Sequence, residues 1–298
     1  MLKILNIISP ISIGWSTAAL LERAGRDLDT KIFYYIPGEG ALPLLGPGRR
    51  KKAITLVLKG NGLSDRYLQK LPRPLVCWNF DFEREPDYQF IKASYDLYLT
   101  ICPYFVTQLN MRWLPQGTDP TVFFPVKQKK FWDISFIGSP KPPRRKIIHF
   151  LREKFPFLKI KIWGEDWNDT LIKPAYYENF NIAVAQSKIC LAINRYDNIP
   201  CYESTFSQRL YMLAACGAII LAENIPGLDK FFKTDSLEEA EMLSWENLEE
   251  LTVIIQTMTQ YAHDEAIKAL GKRARRRVIE DHTYKHRLGT LLKWAEEL

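Results

Sequence analysis

The 298-residue sequence predicts an α/β fold of two mainly parallel-sheet domains joined by a linker. Three observations predict it. Short apolar runs alternate with stretches of helical periodicity along the whole chain, the pattern of strands buried on both faces and the helices that cover them. The rhythm breaks at 115–132, PQGTDPTVFFPVKQKKFW, where three prolines and a basic cluster read as an interdomain linker. Within 203–232, a polar loop, a helix, a glycine stop, an apolar strand and a second polar loop follow in order, as in one repeat of an open parallel sheet.

In the first half, LKILNII at 2–8 is a buried strand, followed by Ser9-Pro10 and the loop Gly14-Trp15-Ser16. Leu20, Leu21, Ala24 and Leu28 share one side of a helix over Thr17–Leu28. Strands follow at Lys31–Ile36, Ile54–Leu58, Pro74–Phe80, Tyr95–Thr100 and Arg112–Leu114, with helices at Asp65–Leu71, Asp87–Ala93 and Tyr104–Asn110. Asp81, Glu83 and Glu85 sit at the end of the fourth strand, and 41–52 has no clear period.

Beyond the linker, strands are predicted at Ile134–Ile137, Leu158–Trp163 and Ile189–Asn194, a helix at Arg144–Phe155 and a short helix or turn at Ala183–Ser187. In the central stretch, Leu210, Leu213 and Ala214 recur at helical spacing, and Gly217 sits where a helix C-cap takes a left-handed residue. Ala218–Ala222 is then a buried strand, and Glu223–Gly227 a loop at its C-terminal end, where ligands bind in parallel sheets. Leu237–Leu243 leads into a helix over Glu246–Tyr261, and further helices cover Asp264–Glu280 and His286–Leu298. The expected domains are 1–125, 126–280 and a closing helical segment, 281–298, that packs back toward the first.

Composition fits a globular protein, at 47% hydrophobic and 25% charged residues. No apolar run approaches the ~20 residues of a membrane helix, and MLKILNIISP reads as a strand rather than a signal peptide. Cys77, Cys102, Cys190, Cys201 and Cys216 are scattered and never form CxxC, which points to reduced, buried thiols in a cytoplasmic protein with no zinc site. His282 and His286 have helical spacing but no third ligand nearby, so no metal site is expected. The net charge of +7 is spread over both halves. It suits an anionic ligand, nucleic acid or an acidic membrane face, and chooses none.

Five segments in order carry a resemblance: Trp113–Pro120 with Phe124-Pro125; Asp133–Ser139 followed by Arg144-Arg145; Ser187–Asn194; Gln208–Gly217; and His282–Arg287. The chain resembles the GT-B glycosyltransferases, in particular the spore-maturation CgeB-like group of the family-4-like enzymes (glycosyl transferases group 1). The likeness covers about 95–298 well and 1–94 weakly. It implies two Rossmann-like parallel-sheet domains facing across a cleft. It implies a hexosyltransferase-type enzyme that moves a sugar from a nucleotide-diphosphate donor to an acceptor hydroxyl, without a metal and with retention favoured. The co-substrate would be a UDP-linked nucleotide sugar, with no other cofactor, and the acceptor a glycan, protein, small molecule or modified DNA. Related enzymes place a ribose-binding Glu five residues before the glycine; here that position is Met212, and Glu203 lies one residue off the site of the other family Glu.

The candidate donor-binding residues are Gly138, Ser139, Arg144, Gly164, Lys188, Asn194, Glu203, Ser204, Gln208 and Arg209. Arg209 leads, because a helix N-terminal region carrying a guanidinium is a ready diphosphate site; the alternative is a surface Arg paired with an acid. Gly138 and Ser139 would let a phosphate approach the backbone, or form an ordinary turn. Lys188 opens a buried strand and either binds an anion or pairs with Glu178 or Glu203. Gly164 either lies where a base stacks or is a turn glycine. On the acceptor side, Gly14 and Trp15 follow the first strand, and Asp81 could orient or deprotonate the acceptor hydroxyl or cap a helix. Asp81 and Arg209 are the catalytic candidates. PGRRKK at 47–52 could hold an anionic acceptor or be a solvated loop, and KRARRR at 272–277 reads as a solvated helix face. Three other readings stand beside the main one: a transferase acting on hydroxymethylated DNA bases, a non-catalytic nucleotide-sugar-binding protein, and a nucleotide-sugar epimerase.

Overall fold

The structure, a computed structural model, describes residues 3–9, 16–35, 53–60, 63–80, 95–167, 178–194, 205–261 and 265–298. The chain divides into two compact units, Met1–Gln116 with Tyr284–Leu298, and Gly117–Thr283.

The first unit carries strands β1 (Lys3–Ile8), β2 (Thr30–Tyr35), β3 (Ala53–Leu58), β4 (Leu75–Asn79), β5 (Leu97–Thr100) and β6 (Arg112–Trp113), in the order β2-β1-β3-β4-β5-β6. Every pairing is parallel. β3 and β4 are buried along their whole length, which is why they read as unbroken apolar runs. Helices α1 (Thr17–Arg26), α2 (Asp65–Leu68) and α3 (Pro103–Leu109) connect them, and Ser16 caps α1 by accepting the Ala19 N–H at 3.4 Å. The helix expected at Asp87–Ala93 lies outside the described residues.

The C-terminal segment completes this unit. Its helix, numbered α9 below (Tyr284–Glu296), packs on α1. Tyr284 shares a hydrogen bond with Thr17 at 3.2 Å, Arg112 pairs with Glu297 at 2.9 Å, and Arg287 Nε donates to the Gln116 carbonyl at 3.1 Å.

The second unit holds β7 (Trp132–Ile137), β8 (Ile160–Trp163), β9 (Ser187–Ala192), β10 (Ile220–Glu223) and β11 (Leu243–Trp245), all parallel, in the order β11-β10-β9-β7-β8. Around them lie α4 (Pro142–Lys154), α5 (Glu178–Ala185), α6 (Gln208–Ala215), α7 (Leu248–Gln260) and α8 (Glu265–Asp281). β11 is a strand the sequence reading missed. Three residues with Ser244 in the middle show no alternation, and only the pairing of Leu221 with Leu243 reveals the strand. α5 begins before its expected start at Ala183.

Gly217 stops α6 as anticipated. Its φ is 69°, its N–H donates to Ala214 at 2.9 Å, and Ala218 N–H reaches back to Leu213 at 3.1 Å, a left-handed cap that closes the last turn. Gly271 on α8 lies against the Gly217 carbonyl, with no room for a β-carbon.

The KRARRR run is not the solvated face it resembled. Arg273 donates to the carbonyls of Ala240 and Leu237 at 2.6 and 2.8 Å, Arg275 donates to the Ala215 carbonyl, and Arg277 pairs with Glu241 and Asp281 at 3.2 and 2.7 Å. Only Lys272 and Arg276 of the run are exposed. Two motifs far apart in sequence also meet: Thr118 bridges to Thr283 and donates its N–H to the His282 carbonyl at 3.0 Å. The His282 ring is buried among Tyr211, Phe231 and Phe232, each centroid 5.5 Å away. That is a structural position.

Candidate active site

The C-terminal edge of the second sheet gathers most of the candidates. β7 ends at Ile137 and turns at Gly138, whose φ of 152° favours a residue without a side chain. A β-carbon there would collide with the Arg209 guanidinium. Glycine thus makes room for an arginine of the protein itself. Gly164, after β8, packs on the Gly138 carbonyl for the same reason, and Trp167 Nε1 donates to that carbonyl at 2.8 Å.

Arg209 rises from the first turn of α6, which Ser207 caps through its hydroxyl. Nη1 donates to Ile137 O at 2.8 Å and Nη2 to Ile193 O at 2.9 Å, so the guanidinium ties the ends of β7 and β9 together. It also lies 4.7 Å from the centroid of the Phe136 ring. Nε is buried without a partner. Its bonded partners are carbonyls; none is a carboxylate.

Arg144, buried on α4, reaches the same place. Nε donates to Asn194 O at 3.1 Å, Nη1 to Ser139 O at 3.0 Å, and the guanidinium lies 5.5 Å from Phe136. Burial, then the neighbouring Arg144 charge, lower the pKa of Arg209 well below its ordinary value. A guanidinium stays protonated even so. Two like charges therefore sit at one sheet edge, over a ring, held by main-chain oxygens.

Asn194 links this pair to an acid. Its carbonyl receives Arg144, and its N–H donates to Glu223 Oε2 at 2.8 Å. A pocket opens between the ends of β9 and β10 and the start of α6, lined among others by Asn194, Ser207, Arg209, Glu223, Ile225 and Leu228. Gln208 lies at the same helix start, with Nε2 buried and unpartnered. Met212 is partly buried on α6 and is not in the pocket lining.

Gly138, Ser139, Arg144, Gly164, Asn194, Gln208 and Arg209 thus come together, and Lys188 does not. It opens β9, at the opposite edge of the sheet, and pairs with Asp133 at 2.7 Å. Glu203, Ser204, Gly14, Trp15, Asp81, Glu83 and Glu85 lie outside the described residues, as does PGRRKK. Sequence reasoning placed Glu223 at the start of a loop where ligands bind in parallel sheets but did not name it among the candidates. It also missed Trp167 and Phe136, whose roles depend on contacts no spacing reveals. Among the described residues no group of His, Cys, Asp and Glu is arranged to hold a metal ion, and no helix is long and apolar enough to cross a membrane.

A family described as glycosyl transferase-like matches residues 144–293, half of the chain. No curated protein matches in sequence. Among solved structures, sucrose-phosphate synthase from Thermosynechococcus elongatus superposes with a TM-score of 0.65 at 13% identity, over 99% of this chain and 98% of that one. AviGT4, a glycosyltransferase involved in avilamycin A biosynthesis, gives 0.65 at 12% identity, over 100% and 98%. Anabaena Alr3699/HepE in complex with UDP and glucose gives 0.65 at 10% identity, over 100% of both chains. At such identities the likeness is one of fold, the GT-B arrangement of two parallel-sheet α/β domains.

Proposed function

The chain belongs to the glycosyl transferase-like family, and from that premise we propose that it transfers a sugar from a nucleotide diphosphate, UDP in the first instance, to an acceptor hydroxyl. One observation carries the donor assignment. Arg209 holds a charge beside a second arginine, and carbonyls are its bonded partners. Two guanidinium charges held side by side and partly shielded from water are costly, and a bound diphosphate would supply compensating negative charge. Arg209 and the first turn of α6 would grip the phosphates, with Arg144 adding field.

In the reaction, the bond between the anomeric carbon and the diphosphate oxygen breaks, and negative charge grows on the leaving diphosphate. The arginines, already fixed by Ile137, Ile193, Asn194 and Ser139, would stabilise that charge without reorganising. Such a site needs no metal for the task. The first unit would supply the acceptor side, including Gly14, Trp15 and Asp81. All four histidines lie at or beyond His149, so the reading favours retention, with the leaving phosphate taking the acceptor proton. HepE was solved with UDP and glucose, which supports UDP as the first donor to try.

The test is a thermal-shift panel of nucleotide diphosphates and nucleotide sugars in the presence of EDTA. A rise of several degrees with UDP or a UDP-sugar is expected, together with release of UDP when an acceptor is supplied. A melting temperature unmoved by every nucleotide would overturn the donor site. Dependence on an added divalent ion would overturn the metal-free reading.

A further inference from the structure

Exposed aromatic side chains scattered singly over a surface are ordinary, but three in this protein converge on one edge of the second sheet, the edge opposite Arg209. β7 and β8 start side by side there. The Asp133 N–H donates to the Lys159 carbonyl at 3.0 Å, and the Lys159 N–H donates to Asp133 Oδ2 at 2.8 Å. Phe131 and Phe157 each stand two residues before that junction, 47% and 74% exposed. α7 ends at the same edge, since its Met258 and Thr259 line a cavity with Asp133 and Lys188. Tyr261, just beyond α7, is 53% exposed. Apolar surface gathered in this way marks a place of contact.

Cations surround these rings. Pro125 lies beside Gly217, ahead of β10, and the Lys130 ammonium donates to the Ser187 carbonyl at the start of β9 at 2.6 Å. Residues 125–131 therefore run along the edge, with Lys127 and Lys129 exposed. α4 brings exposed Arg152 and Lys154 in its last turn, and exposed Lys159 leads into β8. Together 125–131 and 152–161 hold seven Lys or Arg and one acid. That acid, Glu153, faces His149 at 3.4 Å, and Asp133 is held by Lys188 at 2.7 Å. The edge keeps a positive excess around apolar tips.

Three kinds of partner could meet such a surface. A second copy would set lysine against lysine across a two-fold axis. A nucleic acid would stack its bases on open ring faces, and the Lys129 ammonium already sits 5.8 Å from the centroid of the Phe131 ring. An anionic bilayer asks for neither: apolar tips enter the headgroup boundary while the cations around them meet lipid charge. We propose that this edge docks the protein on an anionic membrane surface, with the three aromatic side chains inserted and the surrounding lysines over the headgroups. The Arg209 pocket lies at the other edge of the sheet, so this contact does not cover it.

Co-sedimentation of the full chain with large vesicles tests the proposal. Vesicles of phosphatidylcholine with about one-quarter phosphatidylglycerol should bind the wild type at about 0.1 M salt, and phosphatidylcholine alone should bind it far less. Raising the salt to about 0.5 M should release most of the bound protein. Phe131→Ser combined with Phe157→Ser should weaken partitioning about tenfold. Lys129→Gln, Lys154→Gln and Lys159→Gln together should do about as much, at low salt only. All five positions are exposed, and unchanged urea midpoints should show that the fold is intact. No binding of the wild type to anionic vesicles, equal binding to phosphatidylcholine alone, or partitioning unmoved by both variants would overturn the proposal. So would tighter binding to duplex DNA than to vesicles at the same salt, or a dimer that Phe157→Ser dissolves.

Discussion

The two edges of the second sheet each carry cations, and they treat them differently. At the N-terminal edge Lys188 meets Asp133 at 2.7 Å, and the other carboxylate oxygen takes the Lys159 N–H at 2.8 Å. At the C-terminal edge Arg209 meets two carbonyl oxygens and a ring. The first arrangement is electrically closed, and the second retains a net charge. α8 repeats the closed pattern, since Arg277 there holds Glu241 and Asp281. Where an arginine or lysine finds an acid, the pair serves the fold. Main-chain partners alone do not open a charge to a ligand, since Arg273 and Arg275 on α8 also meet carbonyls. What sets Arg209 apart is the second guanidinium of Arg144 beside it and the pocket it lines, and there the fold bears the desolvation cost.

The sharpest way to break this comparison is at Arg209. Arg209→Ala should weaken UDP binding by about a hundredfold, the worth of a charge-assisted contact pair. Arg209→Lys should recover only part of it, because an ammonium cannot span Ile137 O and Ile193 O while facing a phosphate. Titration calorimetry measures both, with urea unfolding run alongside so that lost fold is not read as lost binding. Undiminished UDP affinity in Arg209→Ala would mean that the open charge serves no ligand.

Gly138→Ala should act through the same guanidinium. The new methyl group enters the space Arg209 occupies, and φ of 152° is a conformation alanine resists. A destabilisation of about 2 kcal/mol follows from overpacking of this kind, with a parallel fall in UDP affinity as Arg209 is displaced. A chemical melt together with the same titration checks it. Loss of stability with full affinity would show that the arginine can move aside without consequence.

These sites also show what sequence could and could not reveal. Gly217 was legible because a helix stop is a local event, and φ of 69° is what the stop requires. The apolar runs of β3 and β4 were legible because both faces are buried. Gly138 was legible as special, but its reason, the side chain of Arg209, comes from 71 positions further along. The partners of Arg273 lie 33 and 36 positions away, and that of Arg275 lies 60 away; no helical pattern announces them, so KRARRR looked solvated. β11 was hidden because three residues are too few to show a period. Lys188 contained its own correction: the first residues of a parallel strand lie opposite the edge where ligands gather.

Lys188→Met should therefore give the smallest effect. UDP affinity should not change, because the pair lies across the sheet from Arg209. Lys188 is half exposed, which limits the stability lost at neutral pH to about 1 kcal/mol or less. The pH dependence has a definite sign. Burial pushes the Asp133 carboxyl up, but the Lys188 bond, the Lys159 N–H and the charges of both lysines outweigh it, leaving the pKa below the ordinary 3.8. A carboxyl lowered in the folded state adds stability above its unfolded value and loses it as pH falls through the folded one. The gap between wild type and Lys188→Met should then be full at neutral pH and close progressively below 3.8. Urea midpoints measured across that window decide it. A gap that persists in strong acid would trace the stability to the lysine's packing, and a fall in UDP affinity would join the two edges that the comparison keeps apart.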